Sequence, residues 1–135
     1  MTVFIDTNVF VALRNADDEL HTKSKDLMRR ALKGEFGRIC TSDYVIDEAT
    51  TTALARTKRH DLALDIGRYI IDSPRITKLR VSEDSFSMAW EKFKGFADRP
   101  MSFTDCTSLA LMERNHIKEM MSFDSGFDGL VQRIY

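Results

Sequence analysis

The sequence predicts an α/β fold built on a mostly parallel sheet. Short runs of β-branched and aromatic residues alternate with longer segments whose apolar residues recur at helical spacing. Glycine, proline and capping residues separate these segments, and no internal repeat or low-complexity stretch interrupts them. At 135 residues, we expect one domain, residues 1–135, with one sizeable core.

The first half of the chain is predicted to hold two strands and four helices. Residues 2–6 and 38–41 are short apolar runs typical of buried strands. Thr7 or Asn8 can cap a helix directly after the first strand, and Ser42 can cap one after the second. Helical spacing and stop signals at glycine or proline predict further helices over residues 21–33, 43–57 and 60–73.

The second half is predicted to hold three strands and two helices. Residues 76–81 alternate apolar with polar side chains, as a strand does. The acidic segment 82–85 opens a helix with an expected buried face of Phe86, Ala89, Trp90 and Phe93. Ser102 or Thr104 caps a helix over residues 105–115, and the last strands are predicted over residues 117–123 and 130–135.

Charge and cysteine content limit the classes of function. The net charge of −1 and the pI of about 6.3 exclude a general attraction to nucleic acid or anionic membranes, so contact with a polyanion requires a local patch or a bound cation. Cys40 and Cys106 form no C-x-x-C pair, and we expect free thiols in a cytoplasmic protein. No apolar run approaches the roughly 18 residues of a membrane span.

Two carboxylates stand where predicted strands end. Asp6 closes the first strand in 4-FIDTNVF-10, and Asp124 closes the fourth in 122-SFDSGFD-128. Either one alone is equally consistent with a turn or a helix cap. Because parallel strands end at the same edge of a sheet, and ligands bind at that edge, the two together indicate a site.

The third predicted helix adds a glutamate. Its apolar stripe consists of Val45, Ile46, Ala49 and Ala53. At about 100° per residue, Glu48 falls on the shoulder of this buried face, whereas Asp43 and Asp47 fall on the far side, where charges are solvated. An exposed glutamate at a shoulder position is the alternative.

Asp105 heads the apolar face that Leu109 and Met112 continue. The helix dipole explains an aspartate in a first turn, but an inward-facing carboxylate also needs a cation, a hydrogen-bonding shell or an open cavity. Three aspartates and one glutamate at one sheet edge repel each other unless a hard cation is bound. Oxygen ligands without a suitable His or Cys set favour Mg²⁺ or Mn²⁺.

Other catalytic arrangements find less support. The sequence has no G-x-S-x-G, P-loop or G-x-G-x-x-G motif, and neither cysteine has an identifiable histidine partner. A phosphotransferase of the haloacid-dehalogenase type needs a second aspartate where Asn8 stands. A receiver domain needs an adjacent acidic pair near the first strand, and Asp17 and Asp18 fall too late for that.

Taken in order, Asp6-Thr7-Asn8, Glu48 in 41-TSDYVIDEA-49, Asp105 in 102-SFTDCTSLALM-112 and Asp124 resemble the PIN domain, most of all VapC-type toxin ribonucleases. This resemblance covers essentially the whole chain. It implies a three-layer α/β/α fold with about five mostly parallel strands. It also implies an endoribonuclease dependent on Mg²⁺ or Mn²⁺, with these four acids as catalytic residues and metal ligands. A free-standing PIN nuclease in RNA processing and an inactive PIN-like binding module are the alternatives.

The same resemblance suggests supporting residues and partners. Thr7 and Thr104 map to polar residues beside the acids, and Asp128 either supplements Asp124 or sits in a turn. Arg14 is a candidate phosphate contact, as are Arg56, Lys58 and Arg59, although a basic helix end favoured by the dipole explains those three better. The family also implies a homodimer through the early helices and a cognate antitoxin covering the acidic cleft.

The apolar content is consistent with self-association. The chain has nine Phe, seven Met and one Trp. Phe36, beside Gly34 and Gly37, is expected to be partly exposed in a monomer, although a chain of this length can bury most such side chains.

Overall fold

The computed structural model describes residues 1–135 and contains one five-stranded parallel sheet flanked by six helices. The strands are β1 (Thr2–Ile5), β2 (Arg38–Ser42), β3 (Ile76–Leu79), β4 (Glu119–Met121) and β5 (Gln132–Ile134). The helices are α1 (Thr7–Arg14), α2 (His21–Leu32), α3 (Asp43–Thr57), α4 (His60–Asp72), α5 (Glu83–Gly95) and α6 (Phe103–Arg114). The predicted fold class is confirmed.

The strand order is β3-β2-β1-β4-β5, which places β1 at the centre. The chain runs outward from β1 through β2 to β3, then crosses to β4 and β5 on the other side. Phe4 therefore pairs with Cys40 of β2 on one side and with Met120 of β4 on the other. In such sheets the reversal of direction opens a crevice at the carboxyl ends of the central strands.

The central strand lies in the core. Val3, Phe4 and Ile5 are fully buried and belong to a cluster of 31 buried hydrophobic residues. Burial of consecutive side chains shows that both faces of β1 are covered, as expected for a parallel strand. No helix is both long and apolar enough to cross a bilayer.

Helix starts follow the predicted caps with one exception. Ser42 Oγ accepts a hydrogen bond from Val45 N at 3.1 Å, and Ser102 Oγ accepts one from Asp105 N at 3.0 Å. The expectation that Thr7 or Asn8 caps α1 is wrong, because Asp6 occupies the N-cap position and makes no side-chain capping bond there. Its carboxylate is engaged elsewhere.

The predicted buried face of α5 is largely wrong. Ala89 is fully buried, but Phe86, Trp90 and Phe93 are 44%, 48% and 40% exposed. Helix α5 packs on α6, and its aromatic rings surround Phe103 at centroid distances of 5.0–6.2 Å while remaining open to solvent. The opposite error occurs at Phe36, which is only 8% exposed and lies beneath the Arg30 guanidinium.

Candidate active site

Asp6 directly follows the central strand and is only 3% exposed. Its backbone N–H donates to the Met121 carbonyl at 3.0 Å, which extends the pairing of β1 with β4 by one residue. Its Oδ2 accepts a 2.6 Å hydrogen bond from Ser122 Oγ, the residue that follows β4. The carboxylate is thus held between the ends of two neighbouring strands.

Glu48 reaches the same place from α3. The Ser42 cap fixes where this helix begins and so which side chains face the core. Ala49 is buried, Asp47 is exposed and Glu48 is between the two, as the helical angles predict. The predicted solvated role of Asp43 is wrong. Its Oδ1 accepts hydrogen bonds from Tyr44 N at 3.0 Å and Val81 N at 3.1 Å, and so ties the start of α3 to the segment after β3.

Asp105 lies in the first turn of α6 and is 9% exposed. It forms a capping box with Ser102, whose backbone N–H donates to Asp105 Oδ2 at 3.0 Å. Asp105 can therefore cap the helix and face the cavity at once. Its Oδ2 accepts the capping hydrogen bond, and its other carboxylate oxygen remains available to a ligand. Leu109 and Met112 are buried, as predicted.

Three of the predicted acids converge. Asp6, Glu48 and Asp105 each offer an oxygen within 4.8 Å of the others. They line a cavity of about 300 Å³ together with Asp124, Thr7, Asn8, Val11, Thr52, Arg56 and Ser102. Asp124 lies outside the group of three. Its Oδ1 accepts a 2.8 Å hydrogen bond from Gly126 N, which closes a turn.

Burial and mutual repulsion change the acidity of this cluster. Burial raises the pKa of Asp6 to about 7, with smaller contributions from the charges of Asp105 and Glu48, against the lowering effect of the Ser122 hydrogen bond. Burial likewise raises the pKa of Asp105 to about 6, with Glu48 and Asp124 adding to the effect. The cavity is therefore poorly suited to three bare negative charges.

Only one of the four supporting residues suggested by the sequence lines the cavity. Thr7 lines the cavity, and its buried Oγ1 has no hydrogen-bond partner. Thr104 lies in the first turn of α6 but does not line the cavity. Arg14 and Asp128 do not line the cavity. Each has an ion-pair partner, Asp65 for Arg14 at 2.8 Å and Arg133 for Asp128 at 2.7 Å.

Sequence reasoning missed Ser122 and the part played by Asn8. Besides bonding Asp6, Ser122 Oγ accepts from Asp124 N at 3.1 Å and from Asn8 Nδ2 at 3.4 Å. Asn8 Oδ1 accepts from Phe123 N at 3.1 Å. The position of Ser122, two residues before a strand-end aspartate, was the available signal, since a short hydroxyl there can reach the neighbouring strand end.

Residues 3–131 match the sequence model of the PIN domain, and the chain belongs to this family. Over 125 residues it is 33% identical to the 23S rRNA-specific endonuclease VapC20 of Mycobacterium tuberculosis, covering 93% of this chain and 91% of that protein. It is also 25% identical over 128 residues to the VapC ribonuclease of Archaeoglobus fulgidus, covering 94% and 80% of the two chains.

Solved structures agree with this assignment. The crystal structure of Mycobacterium tuberculosis VapC20, described as a sarcin–ricin loop cleaving toxin, superposes with a TM-score of 0.84 at 28% identity, over 96% of this chain and 97% of that one. The Rickettsia felis VapBC2 structure gives a TM-score of 0.67 at 13% identity, over 99% and 96% of the two chains, and supports the fold alone.

The raised pKa values predict how stability depends on pH without divalent cations. A carboxyl whose pKa is higher in the folded state stabilises that state fully below its unfolded pKa, and this contribution is lost as pH rises through the folded value. The melting temperature in EDTA should therefore fall between about pH 4 and pH 7.

At pH 8 in EDTA, Asp6→Asn should raise the melting temperature by about 4 °C or more, since it removes the buried charge and keeps an acceptor for Ser122. Asp47→Asn, at an exposed position, is the control and should change little. An Asp6→Asn protein that is less stable than wild type at pH 8 would contradict the electrostatic account.

Proposed function

We propose that this chain is a divalent-cation-dependent endoribonuclease and the toxin of a toxin–antitoxin pair, acting in the cytoplasm as one PIN-like domain over residues 1–135. The observation that carries the proposal is the convergence of Asp6, Glu48 and Asp105 within 4.8 Å at the crevice of a PIN fold. The 33% identity with a named endonuclease, over nearly the full length of both chains, supports the class of reaction.

The donor set fits a hard cation. Asp6, Glu48 and Asp105 supply only oxygen, and Asp124 stands beside them in the same cavity, so these four would hold Mg²⁺ or Mn²⁺. Bound there, the cation would also offset the repulsion that raises the pKa values of Asp6 and Asp105. Thr7, which also lines the cavity, has a hydroxyl without a hydrogen-bond partner.

The chain's own residues prepare the site for hydrolysis. Ser122 orients Asp6, and the capping box orients Asp105, so two carboxylates are fixed before a substrate arrives. When bound, a divalent cation in such a site lowers the pKa of water and neutralises charge on the phosphate. Asp124 is the most exposed of the four acids, and in this proposal it would pass the proton lost by the attacking water to solvent.

The proposed substrate class is a ribosomal RNA loop. The Mycobacterium tuberculosis relative is named for 23S rRNA, and its crystal structure is described as that of a toxin that cleaves the sarcin–ricin loop. A free-standing PIN nuclease in RNA processing would use the same acids. An inactive binding module is disfavoured, because nothing would then require three carboxylates to be crowded in one buried cavity.

We further propose an antitoxin that covers the acidic cleft, and a homodimer. The family resemblance implies a dimer contact through the early helices, but the large apolar side chains that are exposed on helices lie on α3, α4 and α5. The aromatic face of α5, formed by Phe86, Trp90 and Phe93, is the better candidate. Trp90 and Phe93 stack at 5.7 Å and present a preformed apolar surface of the kind that marks interfaces.

The purified protein should cleave a synthetic sarcin–ricin loop hairpin or total ribosomal RNA in Mg²⁺ or Mn²⁺, and EDTA should abolish cleavage, because the carboxylates alone supply no strong electrophile. Gel analysis of end-labelled RNA measures this. Asp105→Asn, prepared in parallel, controls for contaminating nuclease. Equal cleavage with and without chelator, or equal cleavage by the variant, would overturn the proposal.

Glu48 and Asp47 form a matched pair for testing the site. Glu48→Gln should reduce kcat/KM at least a hundredfold because it removes one of three clustered ligands, whereas Asp47→Asn, one residue away and exposed, should leave kcat/KM within about twofold. Initial rates on the labelled hairpin measure both. The reverse ranking would show that α3 presents a different face to the cavity.

The aromatic face can be tested by charge insertion. If it forms the dimer contact, Trp90→Asp should convert a dimer at micromolar concentration into a monomer, because a charge cannot be buried there without a partner. Light scattering coupled to size exclusion measures the mass. Leu64→Asp on α4, also exposed, is the control. A monomeric wild-type protein, or a dimer that survives Trp90→Asp, would reject the contact.

A further inference from the structure

One stripe of α3 faces the acidic cavity along two helical turns. Glu48, Thr52 and Arg56 follow one another at intervals of four residues, and all three line the cavity. Residues four apart share a helix face, so the stripe is a geometric consequence of the register that places Glu48 at the site. It joins a carboxylate, a hydroxyl and a guanidinium in one row.

Among the basic residues at the C-terminal end of α3, Arg56 is the one that lines the cavity. Arg59 donates to Asp61 at 2.8 and 3.3 Å, and Lys58 occupies the C-cap of α3 with φ of +60°. Arg56 is exposed and forms no salt bridge with another side chain. Long side chains on a helix lean toward its N-terminus, which directs Arg56 back over Thr52 and the cavity.

The position of Arg56 is not explained by a structural role in neutralising the clustered acids. None of the four cavity carboxylates lies within salt-bridge distance of it. A cation site gains nothing from a nearby guanidinium, since two positive groups repel each other. A guanidinium at the rim of a cation site instead suits an anion that extends beyond the site, and a polynucleotide is such an anion.

We propose that Arg56, assisted by the Thr52 hydroxyl, forms a phosphate-binding subsite for the RNA linkage next to the scissile one. This inference rests on the proposed ribonuclease function and adds where the strand runs. Arg56 begins about 12 Å further along the helix axis than Glu48. Its guanidinium makes no salt bridge with the cavity carboxylates, so it stands at the rim of the cavity and not among the acids. The strand therefore passes from the acid cluster along α3 toward its C-terminal end.

The subsite fixes the position of the strand without reading its bases. The Arg56 guanidinium can donate two parallel hydrogen bonds to two non-bridging phosphate oxygens, and the Thr52 hydroxyl can donate one more. Contacts of this kind supply affinity and register, whereas sequence is read elsewhere. Losing Arg56 should therefore weaken substrate binding in the ground state and the transition state alike, raising KM more than it lowers kcat.

The test measures binding of a fluorescein-labelled 12-nucleotide oligouridylate by anisotropy in Mg²⁺ at several salt concentrations. The parent is Asp124→Asn, which keeps the three clustered acids and slows cleavage. Adding Arg56→Ala should weaken binding about tenfold and reduce the slope of log Kd against log salt by about 0.7, the value for one phosphate contact on a single strand. Arg56→Lys should lie between the two.

Arg59→Ala is the matched control. Arg59 lies three residues after Arg56 and carries the same charge, but it is already paired with Asp61. Its removal should change neither the affinity nor the salt slope. In the otherwise wild-type protein, Arg56→Ala should raise KM on the hairpin about tenfold with kcat kept within about threefold. Thermal unfolding of each variant verifies folding, and the exposed position of Arg56 makes loss of the fold unexpected.

The outcomes separate this inference from the proposed function. If the wild-type protein cleaves no RNA but Arg56→Ala still loses oligonucleotide affinity and slope, the nuclease proposal fails and the phosphate subsite stands. If the wild-type protein cleaves RNA while Arg56→Ala matches its parent in affinity, slope and KM, the subsite is overturned. Equal losses in Arg56→Ala and Arg59→Ala would overturn it as well, because they would show diffuse attraction to the helix end.

Discussion

The hydrogen bond from Ser122 to Asp6 joins the carboxyl ends of β1 and β4, and the geometry of the site depends on it. These two strands meet where the chain reverses its direction across the sheet, so the crevice between their ends is a product of topology. The same serine accepts from Asp124 N and Asn8 Nδ2, and thereby links the turn after β4 to the start of α1. One hydroxyl thus positions residues from both sides of the crevice.

Around this link the fold concentrates negative charge where water is excluded. Asp6 is nearly buried, and Glu48 and Asp105 approach it closely from two helices. Burial and repulsion raise the pKa values of Asp6 and Asp105, which means that the arrangement opposes its own ionisation near neutral pH. Such strain in the apo protein is expected at a functional site that a cation completes.

The sequence predicted the fold and the convergence of Asp6, Glu48 and Asp105, because both follow from local rules. Strand ends locate Asp6 and Asp124, and helix periodicity selects Glu48 over Asp47. The same periodicity misjudged α5, since a pattern identifies an apolar face but not whether another element covers it. Helical periodicity likewise could not tell which arginine reaches the cavity. Arg14 pairs with Asp65, whereas Arg56 lines the cavity because of how α3 packs over the sheet edge. Contacts between distant segments decide such cases.

The proposed function depends on the binding of a divalent cation by the three clustered carboxylates. Anomalous diffraction from crystals grown with Mn²⁺ tests this most directly, because manganese scatters anomalously and the protein's oxygen ligands do not. We expect a strong peak at coordination distance from oxygens of Asp6, Glu48 and Asp105. The peak should be absent from isomorphous crystals of Asp105→Asn. A wild-type map with no peak among these three side chains, under conditions in which the protein cleaves RNA, would contradict it.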